Sequence, residues 1–146
     1  MLSLNISELF KANSKFENGT WWTDFYSFDT GHTELRIQGN EQGVLQSQLD
    51  FAEKIINKYL IYEKHGLDLL TYFVPNVYKS DFSLFSIDFV GFTNGAYGMT
   101  EAFTTDCFII TWDCKKIEDF LFSVKFALCS VGCIDDIYCK TVEIWR

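Results

Sequence analysis

VLQSQLDFAEKIINKYLIYEK, running from Val44 to Lys64, decides the fold. Its apolar residues recur at helical spacing (Leu45, Leu49, Ala52, Ile56, Tyr59 and Leu60, then Glu63), while Gln46, Gln48, Asp50, Glu53, Lys54, Asn57 and Lys58 fill the other side. A helix with one apolar stripe needs a surface to cover, and most of the remaining chain reads as strand. The expectation is an α+β fold, an antiparallel sheet with this long helix and one or two short ones packed on one face.

The flanks of the helix support it. Gly39-Asn40-Glu41-Gln42-Gly43 breaks the preceding strand and places acidic and amide groups near the positive end of the helix dipole. Gly66, preceded by Lys64 and His65, predicts a C-terminal stop, with His65 as a dipole-complementing cap. Leu67 to Phe73 then predicts a second short helix carrying Leu67, Leu70 and Phe73, continuing toward Val74 and Val77 and ended by Pro75. Near the N-terminus Asn5 caps one or two turns that end near Asn13, with Glu8 three residues on and Ile6, Leu9 and Phe10 as the apolar face.

Two strands precede the helix. Trp21 to Phe28 is aromatic on both parities, and Asp29-Thr-Gly31 closes a hairpin onto Thr33 to Gln38, where Leu35 and Ile37 point inward and Glu34, Arg36 and Gln38 outward. From Phe82 the period is two. Phe82 to Phe92 is nearly all apolar and reads as a central strand, Thr93-Asn94-Gly95-Ala96 turns, and Tyr97 to Trp112 returns with a bulge or break at Thr104 to Asp106. After the charged connection Lys115 to Asp119, Phe120, Phe122, Val124, Phe126 and Leu128 point one way against Leu121, Ser123, Lys125, Ala127 and Cys129. Ser130 to Ile134 turns into the last strand, Ile137 to Trp145. The result is a four-strand C-terminal meander extended by the N-terminal hairpin, in a single domain spanning 1–146.

Composition bounds the function. At 146 residues, 48% hydrophobic and only 22% charged, the chain is long and apolar enough to bury a core without stapling. Twelve basic against 20 acidic residues give a formal charge of −8, a field that repels nucleic acid and anionic membrane and is the complement of a basic protein. It also keeps a chain that is 18% aromatic in solution. Cys107, Cys114, Cys129, Cys133 and Cys139 fall in the last 40 residues, an odd set without framework spacing, which fits reduced thiols in the cytoplasm. The Cys129/Cys133 pair has no histidine after it, a poor zinc signature. No export signal or membrane span is expected from the N-terminus or from any apolar run.

Catalytic options are few. Only His32 and His65 are present, Gly91, Gly95 and Gly98 are spaced for turns without a following helix, and no cofactor motif stands out. The neighbouring carboxylates Glu118/Asp119 and Asp135/Asp136 would point to opposite faces of a strand, which suits solvation better than a glycosidase dyad. They make better sense as an electrostatic surface. Asp135 and Asp136 would lie at one end of the sheet, and Asp113, Glu118 and Asp119 at the other. With them, Trp112, Tyr138 and Trp145 would serve as exposed aromatic anchors inside a charged rim for a partner.

The order of events from Trp22-x-x-Phe25-x-Ser27-Phe28 through Gly39-Asn40-Glu41-x-Gly43, the helix opening Gln46-x-Gln48-Leu49 and the segment Leu70-Thr-Tyr-Phe73 resembles small acidic immunity proteins of bacterial contact-dependent inhibition and related polymorphic toxin systems. The resemblance covers about half the chain. It implies a cytoplasmic protein with no catalytic, cofactor or metal site. Such a protein binds a cognate toxin domain, commonly a basic nuclease, and occludes its active site, with carboxylates standing where nucleic-acid phosphates would lie. The other reading of the residues is a regulatory module that binds a small molecule or a peptide on its aromatic-rich sheet.

Overall fold

The computed structural model describes residues 14–17, 20–25, 33–38, 41–44, 46–89, 107–128 and 137–145. The expected N-terminal turns up to Asn13, the turns at Asp29 to Gly31, Thr93 to Ala96 and Ser130 to Ile134, the break at Thr104 to Asp106, and His32, Cys129 and Cys133 lie outside the described residues.

The fold is α+β, as the pattern requires. Among the described residues seven strands form one sheet in sequence order: β1 Lys15–Glu17, β2 Thr20–Phe25, β3 Thr33–Gln38, β4 Phe82–Phe89, β5 Cys107–Cys114, β6 Leu121–Leu128 and β7 Ile137–Trp145. The hairpin β2–β3 and the meander β4–β7 are antiparallel as expected, and β1, which no pattern announced, adds to β2 with Phe16 against Trp21 at 5.2 Å. The sheet is not antiparallel throughout: β3 and β4 are parallel, Glu34 opposite Ser86 and Arg36 opposite Asp88. The cause is the connection. A parallel neighbour requires a crossover of a dozen or more residues, and both helices lie in this one.

Those helices are α1 Gln46–Ile56 and α2 Tyr59–Phe73. Asn57 and Lys58 separate them, and tighter three-residue bonds, Lys58 N–H to Ile55 O and Ile61 N–H to Lys58 O, replace the regular ladder there. This shifts the phase of the stripe. Leu49, Ala52, Ile56 and Tyr59 are buried as the spacing predicts, but Leu60 is 55% exposed and Tyr62, Leu67 and Leu70 take the inner face, while Gln48 is buried with the apolar residues. Gly66 does not stop the helix. It lies inside α2, with His65 in mid-helix rather than at a cap, because the ring of Trp112 occupies the space a side chain at position 66 would need.

Both helices cover the same face of the sheet. Tyr62 packs edge-on against Phe108 and Phe126 at 4.9 and 5.6 Å, Phe51 against Phe89 at 5.7 Å, and Phe108 stacks on Phe126 at 5.2 Å. A register shift between Leu84 and Ser86 makes Phe85 the extra residue in β4. Its effect is specific: Phe82 and Leu84 before it, and Ile87 and Phe89 after it, all reach the core although their numbering changes parity. Leu35, Ile37, Ile110, Phe122, Val124 and Phe126 complete that face, in line with the alternation of their strands.

Candidate functional site

Two polar assemblies stand out, one buried and one exposed. The buried one lies on the sheet face away from the helices, where Ser86, Thr111 and Ser123 occupy successive strands in register and Asp88 lies beside them. Thr111 and Ser123 share a hydrogen bond of 2.7 Å. Asp88 is ion-paired with Arg36; Arg36 Nη2 donates to Asp88 Oδ2 at 3.3 Å and to Ser86 Oγ at 3.2 Å, and Ser86 Oγ donates to Asp88 Oδ2 at 3.0 Å. Burial pushes the Asp88 carboxyl up to about 6, outweighing the opposing pull of Arg36 and Ser86. A carboxyl poised there could move a proton, but its oxygens are taken up by groups of its own sheet. It is built as a structural pair.

The exposed assembly forms where the crossover returns to the sheet. Val74 and Val77 plug into the core, Asn76 turns the chain at φ 62, and a short 3-10 turn, Lys79–Asp81, leads into β4. Asp81 is buried and organises this end. It accepts the Tyr78 N–H at 2.8 Å, its own carbonyl accepts the Lys115 N–H at 2.9 Å, and its carboxylate is paired with Lys115 and with Lys116, the latter at 3.2 Å. The Tyr78 N–H first, then Lys116, hold its carboxyl below the usual range despite the upward push of burial. Lys116 also donates to Asn76 O at 3.4 Å and lies 4.7 Å from the centre of the Tyr78 ring. The segment 74–81 and the β5–β6 connection 115–120 are thereby held together as one end of the molecule.

Three large rings face outward at this end: Tyr72 is 82% exposed, Phe73 61% and Tyr78 70%, with Tyr72 and Phe73 edge to face at 5.1 Å. Phe73 was expected on the apolar face of its helix. At the end of α2 Leu70 and Val74 take the inward positions, and both rings of the Tyr72-Phe73 doublet lie on its outer side. That doublet, one residue short of the valine that precedes Pro75, is the signal sequence reading passed over. Between α2 and the start of β4 a groove of about 330 Å³ is lined by Leu60, Leu67 and Phe82 together with Glu63, Lys64, Lys79 and Ser80.

The residues expected to meet a partner are distributed as follows. Asp113, Glu118 and Asp119 are exposed at this same end, Asp119 in the left-handed region at φ 67, and none forms an ion pair among the described residues. Trp112 is not a surface anchor. It is fully buried, its Nε1–H donating to Tyr59 Oη at 3.1 Å, because its strand position faces the helices. Trp145 pairs with Leu121 in register and so stands at the end that carries Asp113, while Tyr138 pairs with Ala127 toward the opposite end. Asp135 and Asp136 lie outside the described residues. Cys107 and Cys114 are unbridged. No cluster of three metal-ligating side chains occurs among the described residues, and no helix among them is long and apolar enough to cross a membrane.

No protein-family model, no curated protein and no solved structure matches this chain.

Proposed function

We propose that the protein is an immunity protein that acts in the cytoplasm by binding a cationic toxin domain and covering its active site, without transforming a substrate of its own. The observation that carries this reading is the sign of the exterior. The chain's formal charge is −8, and several of its cations are paired with carboxylates of the chain itself: Arg36 with Asp88, Lys115 and Lys116 with Asp81, Lys79 with Asp68. Exposed carboxylates such as Asp113, Glu118 and Asp119 are left to face solvent. Such a field speeds encounter with a basic polypeptide and repels nucleic acid, so carboxylates can take the place of phosphates in a nuclease cleft. The test is co-expression with the polypeptide encoded immediately upstream. Rescue from its toxicity, co-purification, and an association rate that falls steeply with salt are expected. Failure of both rescue and co-purification overturns the reading.

The regulatory-module reading has the 330 Å³ groove beside α2 in its favour, at the small end of ligand-site volumes. A small apolar compound or peptide that raises Tm in proportion to its concentration would support that reading instead.

A further inference from the structure

We infer that the partner docks at the end of the sheet where the segment carrying Tyr72, Phe73 and Tyr78 is held against the turn carrying Glu118 and Asp119, and that it presents a cationic, arginine- or lysine-bearing face of a folded polypeptide. This rests on the proposed binding function and names the surface and the chemistry that perform it.

The rings are the first argument. Single exposed aromatics are ordinary, but three within seven residues of chain, each more than 60% exposed, form a concentrated apolar surface. They are not misplaced core, since Leu70, Val74 and Val77 already fill the inner side of the same segment. Tyrosine and phenylalanine supply large contact area at the cost of two torsions each, which is why aromatic anchors dominate protein interfaces.

Charge selects the occupant. Three lysines at this end are engaged: Lys79 with Asp68, Lys115 and Lys116 with Asp81, and Lys116 additionally against the Tyr78 ring. Glu118 and Asp119 carry no ion pair among the described residues. A second copy of the chain would bring these acids against their own images in a two-fold contact, and a nucleic acid or anionic lipid surface would be repelled outright. A guanidinium or ammonium group is attracted by both components, the carboxylates and the ring faces. Lys116 at 4.7 Å from the Tyr78 centroid shows that such a ring already accepts a cation here.

The surface is also held in shape. The turn carrying Glu118 and Asp119 is pinned by the Lys115 N–H to Asp81 O and the Ile117 N–H to Cys114 O, so little ordering remains to oppose binding.

The test uses the whole chain and, as probe, the immobilised polypeptide encoded immediately upstream. Tyr72→Ser/Tyr78→Ser is expected to raise the dissociation rate roughly 30-fold or more. Glu118→Lys/Asp119→Lys is expected to lower the association rate about tenfold at low salt and to flatten its salt dependence. Asp50→Lys, an exposed acid on α1 far from these residues in the fold, should change either rate less than about twofold, and thermal melts of each variant establish that it is folded. If the wild type binds and all these variants bind alike, the surface assignment falls while the proposed function stands. Absence of wild-type binding and rescue removes the function and this inference together. A concentration-dependent dimer that Tyr72→Ser/Tyr78→Ser abolishes would make a second copy the occupant and overturn the inference.

Discussion

Gly66→Ala sets two effects of opposite sign against each other. Gly66 lies in the interior of α2, where alanine is intrinsically better by about 1 kcal/mol. A Cβ built there would lie 3.0 Å from Trp112 Cζ3 and 3.2 Å from Phe126 Cζ, and closer still to Trp112 Cη2. Neither ring can give way freely. Both are fully buried, Phe126 is stacked on Phe108, and Trp112 is tethered through Nε1 to Tyr59 Oη at 3.1 Å. Overpacking of this kind costs about 3 kcal/mol, and pulling Trp112 off its acceptor adds about 1 kcal/mol. The net expectation is destabilisation by about 3 kcal/mol, a fall in Tm of roughly 6–12 °C for a domain of this size. Urea unfolding followed by tryptophan fluorescence measures it. A second background isolates the cause: with Trp112→Phe the ring edge is drawn back, and Gly66→Ala should then cost at least about 1 kcal/mol less than it does in the wild type. An alanine variant as stable as wild type, or an equal cost in both backgrounds, refutes the argument that Trp112 dictates the glycine.

The buried hydroxyl pair Thr111–Ser123 predicts an asymmetry: Ser123→Ala alone leaves the Thr111 hydroxyl without its partner and costs about 1–2 kcal/mol, whereas Thr111→Val/Ser123→Ala costs less than the single change, read from denaturant midpoints. Asp81 has its folded pKa lowered, so its contribution to stability is present above the unfolded value of 3.8 and is lost as pH falls below it. Asp81→Asn should therefore lower Tm at pH 7 and flatten the acid limb of a Tm-against-pH curve, and an unchanged acid limb would show that Asp81 does not hold this end together.

How much of this was legible in the sequence depended on whether the determining contact was local. The alternation of Leu35 and Ile37 against Glu34 and Arg36, and the inward set Phe122, Val124 and Phe126, is written in successive residues and holds. So does the stripe from Leu49 to Tyr59. Leu60 fails because the tight turn at Asn57 and Lys58 rotates the stripe, and nothing in those residue types marks a kink. Gly66 looks like a helix stop because the residue that requires it, Trp112, is 46 positions away. The same distance hid the fate of Trp112, which reads as a surface anchor until its strand is paired with its neighbours. Strand direction is likewise invisible in side-chain alternation, so the parallel pairing of β3 and β4 emerges only from the crossover. At the candidate surface, the acids Glu118 and Asp119 were legible from the charged connection, but the exposed rings Tyr72, Phe73 and Tyr78 come from a segment about 40 residues earlier, whose end Asp81 holds against the turn.

The Arg36–Asp88 pair joins the two parallel strands and raises the question of what it contributes. The register of β3 on β4 is already fixed by Leu35 and Ile37, since a one-residue slip would turn both out of the core. Desolvation outweighs attraction at Asp88, as its carboxyl at about 6 against 3.8 unfolded indicates. Because the folded pKa is raised, the native state holds the proton more tightly. The stability this confers is fully present below 3.8 and disappears as pH rises through about 6, a loss of roughly 3 kcal/mol. Asp88→Asn should remove that descending limb. Arg36→Met alone leaves a buried carboxylate without its cation and should cost about 3–5 kcal/mol at pH 8, where wild-type Asp88 is ionised. Arg36→Met/Asp88→Leu should return to within about 1 kcal/mol of wild type with an unchanged denaturant slope, because the apolar face alone sets the register. If the double variant is as unstable as Arg36→Met, the ion pair is itself what holds the β3–β4 junction, and the primacy given to Leu35 and Ile37 is wrong.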